Sequence, residues 1–191
     1  YDLAIISTNS KERYKIIKKL LKSNIVINLI VEKFLFNKIK EYSDFESLIK
    51  KYPKIKKINV NSWGNYILKK TCLKLQGGFI ASYHLRSKGL ATNLIHISDL
   101  YSTLIKDKDF EILFENLSKL KSKRHGYHEI SGRVILKSNK GLLKIIDNSK
   151  SKYHVFKLRD KKNNYTLQIN NQKKCYFFKN KKLIKTFDFP M

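Results

Sequence analysis

The chain has 191 residues, 42% of them hydrophobic, with 41 Lys and Arg against 15 Asp and Glu for a formal charge of +26. That apolar content excludes a disordered tail and is enough for one large domain or two small ones; the longest apolar runs stop far short of the ~18 residues a membrane span needs, and no signal peptide opens the chain. The charge makes nucleic acid or an anionic surface the first partner to weigh, but 36 of the 41 basic residues are lysine, scattered among abundant Ile and Asn as on a solvated surface, whereas phosphate readers cluster their charge and favour arginine.

Residues 3 to 7, LAIIS, read as a short buried strand followed by a loop through Thr8, Asn9 and Ser10. Ser10 is placed to cap a helix over "KERYKIIKKLLKS", in which Tyr14, Ile17, Leu20 and Leu21 recur at helical spacing. "IVINLIVEKF" reads as a second strand with an ionisable pair, Glu32 and Lys33, near its end. A strand buried on both faces carries such groups only where it surfaces or where the pair is used. "YSDFESLIKKY" follows as a helix with Ser43 and Glu46 in a capping box, and "IKKINVNSW" as a third strand after Pro53. Strand, helix, strand, helix, strand with short connections is the signature of a parallel α/β sheet, whose ligands sit beyond the carboxyl ends of the strands. Thr8, Asn9, Glu32 and Lys33 stand at such ends. There the Glu-Lys pair is either simply solvated or part of a site.

Beyond about Asn61 the rhythm changes. "YILKKTCLKL" suggests a helix, "GGFIASYHLRS" a strand, and "LATNLIHISDLYSTLIK" a helix with Leu94, Ile97, Leu100, Tyr101 and Leu104 on its apolar side. After Gly126 the chain alternates in short pieces, EISGRVILKS, GLLKIIDNS, YHVFKLRD, NYTLQIN, KCYFFKN and KLIKTFDF, separated by Asn, Lys, Gly and Ser turns. Such spacing predicts a largely antiparallel sheet. The expected fold class is therefore α/β: residues 1–60 as the C-terminal part of a Rossmann-type parallel-sheet domain, then residues 61–191 as an α+β domain with a mostly antiparallel sheet. The start at Tyr1, directly in a strand, reads as a fragment missing its N-terminus, and "FDFPM" need not be the natural end.

Cys72 and Cys175 lie far apart with no CxxC spacing, so both are expected to be reduced packing residues in a cytoplasmic protein. "RHGYHE" places His125 and His128 three apart, but without a further ligand at metal spacing it reads first as a polar turn entering a strand. Trp63 and Tyr66 suit either a sugar pocket or core packing.

Two landmarks resemble a known family. "DLAIISTNSKERYKIIKKLL" followed by "LIVEKFLF" is similar to the region of the Gfo/Idh/MocA oxidoreductases where a strand, an A-T-P-N-x-x-H-like loop and an E-K-P motif follow one another, and "GLATNLIHISDL" resembles that family's helix bearing an acidic or amide residue, then His, then Asp. The resemblance implies NAD or NADP as cofactor and a hydride moved between the nicotinamide and a sugar, sugar-nucleotide or polyol hydroxyl or carbonyl. Such chemistry needs a group to take up the hydroxyl proton. By resemblance His96 is that base, Lys33 polarises the substrate oxygen, and Thr8, Asn9, Glu32 and Lys33 line the cofactor site. Spacing lets Asn93, His96 and Asp99 share one helix face, with Asn93 acting on a substrate hydroxyl, Asp99 orienting the imidazole, and Trp63 lining the substrate pocket.

The chain departs from the pattern in places. Phe34 replaces the usual Pro and Arg13 the loop His, while Asn93 lies three rather than four residues before His96, which leaves Thr92 as an alternative occupant. These changes suit a divergent subfamily with a different substrate or a member that has lost activity. No G-x-G-x-x-G occurs; in the family it follows the first strand, about sixty residues (two βα units) before the matching region, so tight dinucleotide binding is not expected of this stretch alone. A homo-oligomer is implied by resemblance, without nucleic-acid or membrane partners. A noncatalytic sugar-nucleotide-binding relative and a basic nucleic-acid-binding domain are the alternatives.

Overall fold

The computed structural model describes residues 1–33, 35–86, 89–107, 109–122, 126–147, 151–170 and 172–189, with the backbone alone at Asn65. The chain divides into two compact units, Tyr1–Ser62 and Trp63–Met191.

In the first unit, β1 (Leu3–Ile6), α1 (Ser10–Ser23), β2 (Asn28–Val31), α2 (Ile39–Lys51) and β3 (Lys57–Val60) alternate. The strands form a parallel sheet in the order β1-β2-β3. Leu29 and Val31 of the central strand are buried against Ile17 and Leu21 of α1 and Phe45 of α2, the stripe that the helical spacing predicts.

Two helix starts differ from expectation. Asn9, not Ser10, caps α1, because its extended backbone lets the side-chain oxygen accept from the Glu12 N–H at 3.2 Å. Helix α2 begins at Ile39, which puts Ser43 inside it, and its first turn is closed by Glu41, whose carboxylate accepts from the Lys38 N–H at 3.3 Å. The earlier start brings Tyr42 under Phe36: the rings pack edge to face, and the hydroxyl lies 3.3 Å from both the backbone N–H and the carbonyl of Phe36.

The second unit contains α3 (Gly64–Thr71), β4 (Phe79–Leu85), α4 (Leu90–Ile105), β5 (Glu111–Lys121), β6 (His128–Lys137), β7 (Gly141–Asp147), β8 (His154–Arg159), β9 (Asn164–Ile169), β10 (Lys174–Lys179) and β11 (Lys182–Asp188). Its eight strands run in the order β11-β10-β9-β8-β4-β7-β6-β5. Only the β4–β7 pairing is parallel. Phe79, Ala81, Tyr83 and Leu85 of β4 turn to the buried face while Ile80, 68% exposed, turns away. The same period of two puts Val134, Leu136, Leu143, Ile145, Phe156 and Leu158 in the core with Ile97, Leu100 and Tyr101 of α4.

Strand β5 has no clear signature in the sequence. "EILFENLSKLK" mixes charges into its apolar positions, and a register shift between Glu115 and Ser118, with Asn116 at φ +51°, breaks the alternation. Gly132 of β6 fits against this bulge, where a Cβ would lie 2.7 Å from the Asn116 carbonyl. Cys175 is buried, as expected, and burial followed by the charge of Asp188 pushes its thiol up to about 12. Cys72 is corrected from packing to exposed, since it sits just past the end of α3 in a left-handed conformation.

Two stability tests follow from this packing. Leu143 is fully buried, so Leu143→Ala should lower the unfolding free energy of the second unit by about 2–5 kcal/mol, whereas Ile80→Ala on the other face should change it by less than about 1 kcal/mol; denaturant titration of the fluorescence of the single tryptophan, Trp63, separates the two. Asp160, 6% exposed, accepts from the N–H groups of Lys162, Asn163 and Gln76 at 2.8, 2.7 and 3.1 Å. Burial pushes its pKa up, but those bonds and the charge of Lys179 outweigh it and leave the pKa lowered. A carboxyl whose folded pKa is depressed stabilises above its unfolded value, near 3.9, and loses that contribution as pH falls through the folded value. Asp160→Ala should therefore cost about 1–3 kcal/mol near neutrality and less in acid, read as a flatter pH dependence of the unfolding midpoint.

Candidate active site

In the first unit the parallel register ends the three strands together at Ile6, Val31 and Val60. The ladder runs one residue further: the Glu32 N–H donates to the Ile6 carbonyl at 3.1 Å and the Asn61 N–H to that of Val31 at 2.8 Å. Glu32 and Lys33 thus lie past the last residue of β2, where the chain leaves the sheet. One Glu32 oxygen accepts from the Asn61 side-chain amide at 2.7 Å, joining the ends of β2 and β3.

The loop after β1 is held from beneath. Arg13 of α1, 2% exposed, donates from its guanidinium to the Thr8 carbonyl. Burial pulls the Arg13 pKa down, and the negative charge of Glu32 acts against that pull. Asn9 spends its side-chain oxygen on capping α1. Phe34 lies outside the described residues.

The other predicted residues belong to the second unit. His96 of α4 is 6% exposed, and its ring lies 5.3 Å from that of Trp63 at an interplanar angle of 35°. Trp63 also meets Tyr83 and Phe189 at 6.0 and 5.6 Å. Its place is set by the close packing of α3 on α4: a Cβ on Gly64, the next residue, would lie 2.9 Å from the Leu100 backbone nitrogen. The same contact puts Asp99 Oδ2 3.0 Å from that Cβ position, so the carboxylate stands at the amino end of α3, where the helix dipole favours negative charge. Asn93 turns its amide nitrogen back to the Gly89 carbonyl at 2.8 Å, which leaves Oδ1 as its acceptor.

Two groups around this helix, Glu129 and His154, were not singled out from sequence. Glu129 of β6 accepts from the Ala91 N–H at 2.7 Å and from the Thr92 hydroxyl at 2.6 Å. His154, at the start of β8, accepts through Nδ1 from the Arg86 N–H at 3.4 Å, and its ring lies 6.4 Å from Tyr83. Burial, then the charge of Arg86, lowers the His154 pKa, so the ring is neutral at neutral pH. These pairings join residues 38 and 68 apart in the chain, beyond the reach of any local pattern. Of the two histidines noted together, His128 is exposed at the start of β6 and His125 lies outside the described residues. Among the described residues no three His, Cys, Asp or Glu side chains are grouped to hold a metal, and no helix is long and apolar enough to cross a membrane.

No protein-family model matches the sequence, and no curated protein matches it. Solved structures do. A dehydrogenase (MviM) from Clostridium difficile is similar with a TM-score of 0.68 at 18% identity, over 99% of this chain and 63% of that one. An oxidoreductase from Bacillus cereus gives 0.66 at 14% identity, over 90% and 53%. Biliverdin reductase from Synechocystis, solved with biliverdin and NADP+, gives 0.63 at 10% identity, over 100% and 66%. The chain therefore spans less than two thirds of the length of these structures, and at such identities the likeness is one of fold. With a parallel three-stranded sheet followed by a mostly antiparallel eight-stranded one, the chain has the fold of the Gfo/Idh/MocA-type oxidoreductases.

Proposed function

We propose that the chain works as part of an NAD(P)-dependent oxidoreductase acting on a sugar, sugar-nucleotide or polyol. The observation that carries this reading is the imidazole of His96, buried against Trp63 on a helix of an oxidoreductase fold. The residues at the ends of β1, β2 and β3 suit the nicotinamide end of the cofactor: Thr8 and Asn9 form a pinned loop, and Glu32 keeps one oxygen to accept from a ribose hydroxyl. The chain has no Gly-rich turn to cradle a pyrophosphate. A nicotinamide cofactor, when bound, would supply the two-electron hydride acceptor that oxidation of a hydroxyl-bearing carbon requires.

The chain's own side chains handle the proton and the orientation. His96 accepts the hydroxyl proton as the C–H bond breaks, and returns it when the reaction runs toward the alcohol. Lys33, just past the end of β2, would place its positive charge at the cofactor end of the first unit. Asn93 accepts from a neighbouring substrate hydroxyl through Oδ1, and Asp99, three residues beyond His96, orients the imidazole. Trp63 restrains the imidazole by a tilted ring contact and presents an aromatic surface on which a sugar ring packs.

The full-length gene product, titrated with NADH and NADPH by nucleotide fluorescence and assayed on sugar and polyol panels, tests this. His96→Ala should lower kcat by about 10²- to 10⁴-fold while the cofactor dissociation constant changes little. Lys33→Ala should lower kcat and also weaken cofactor binding. Tight cofactor binding with no turnover on any panel would favour a noncatalytic relative. Failure to bind either nucleotide would end the oxidoreductase reading.

A further inference from the structure

Helix α4 draws its N-terminal cap from another element. The residue before it, Gly89, has no side chain, and its first turn contains no acidic residue. The opening N–H groups of a helix have no partner within the helix and need acceptors from elsewhere. For α1 and α2 these come from Asn9 and Glu41, residues of the helix end itself. For α4 they come from the adjacent sheet.

Glu129 Oε1 accepts from the Ala91 N–H at 2.7 Å, and Oε2 from the Thr92 hydroxyl at 2.6 Å, the short distance of a charge-assisted bond. A third bond, from the Ile130 N–H to Oε1 at 3.0 Å, holds the carboxylate in place on β6. One carboxylate thus grips two successive residues of the first turn, one by its backbone and one by its side chain. A single contact would fix where the helix begins; two contacts also fix its rotation about its axis. Asn93 and His96 follow on the same helix, one and four residues beyond Thr92, so a rotation of the first turn is passed on to them.

We propose that Glu129 is a positioning residue for the α4 site, setting the rotation of the first turn and through it the places of Asn93 and of the His96 imidazole on Trp63. Its catalytic consequence rests on the reading of His96 as the base. Its geometric content does not.

The test compares Glu129→Ala, Glu129→Gln and Thr92→Val in the whole protein. Three readouts apply: amide hydrogen exchange across residues 90–97, the emission maximum and intensity of Trp63, and kcat and KM measured separately. Glu129→Ala should speed exchange in the first turn by about tenfold or more, shift the Trp63 emission, and lower kcat by about 10- to 100-fold with the cofactor dissociation constant held within about twofold. Glu129→Gln should recover most of each loss, because its amide oxygen accepts from the Ala91 N–H and its nitrogen donates to the Thr92 hydroxyl. Thr92→Val removes only one grip and should fall between. Wild-type exchange and wild-type Trp63 emission in Glu129→Ala would overturn the proposal. If that variant does not fold, wild-type values of all three readouts in Thr92→Val would overturn it. Should the wild-type protein bind no nicotinamide cofactor and turn nothing over, the oxidoreductase reading falls alone, and exchange and fluorescence still decide the role of Glu129.

Discussion

The seating of α4 on one face of the eight-stranded sheet is the constraint on which the second unit depends. Leu90, Ile97, Leu100, Tyr101 and Ile105 are all at most 2% exposed, and their spacing winds one apolar stripe along the helix. Opposite them stand the alternate residues of β6 and β7, so burial of one surface is burial of the other. Hydrogen bonds then fix what the apolar contact leaves free to slide. The Tyr101 hydroxyl donates to the Gly141 carbonyl at 2.5 Å toward the far end of the helix, and Glu129 holds the near end. An apolar interface alone is non-directional; polar anchors at both ends give it a register.

The residues proposed for chemistry lie along the flank of that same helix. His96 and Asn93 share its framework with the core residues, so they inherit the rigidity of the packing without adding to it. The approach of α3 to α4 completes the arrangement, since only a residue without a side chain fits at Gly64, and that contact carries Trp63 onto His96. The Trp63 ring, 5.3 Å from the imidazole and tilted by 35°, limits its rotation, which suits the role proposed for it.

The first unit solves a different problem. Its strands are short, four residues each, and the site residues proposed there lie just past their ends. Such ends are loose unless tied. Here the ties are a guanidinium buried beneath the Thr8 loop, an asparagine capping α1, and a side-chain bond between Glu32 and Asn61. Burying Arg13 is costly in itself, and the cost is offset because its charge faces Glu32 while it donates to a backbone carbonyl. The loop histidine that the motif would place here gives way to a residue whose work is structural.

Local periodicity was enough to read most elements of this chain. The apolar repeats of "KERYKIIKKLLKS" and "LATNLIHISDLYSTLIK" specify helices, and the alternation from Gly126 onward specifies strands, because each depends only on which neighbours can share a face. Lys33 and His96 were singled out by another route, resemblance to short motifs of a known family, and their roles are proposals. What sequence left open was whatever depends on partners distant in the chain. Strand β5 hides because its bulge meets Gly132 on another strand. The caps of α1 and α2 shifted because the fold chose between neighbouring polar residues. The partners of α4 are set by pairings across 38 residues for Glu129 and by the packing of α3 for Trp63. By itself the sequence determined most of the elements, since these follow from side-chain type and spacing. Only the tertiary structure decided which groups meet, because a hydrogen bond or a ring contact is made at a few ångströms between residues that the chain brings together only once it has folded.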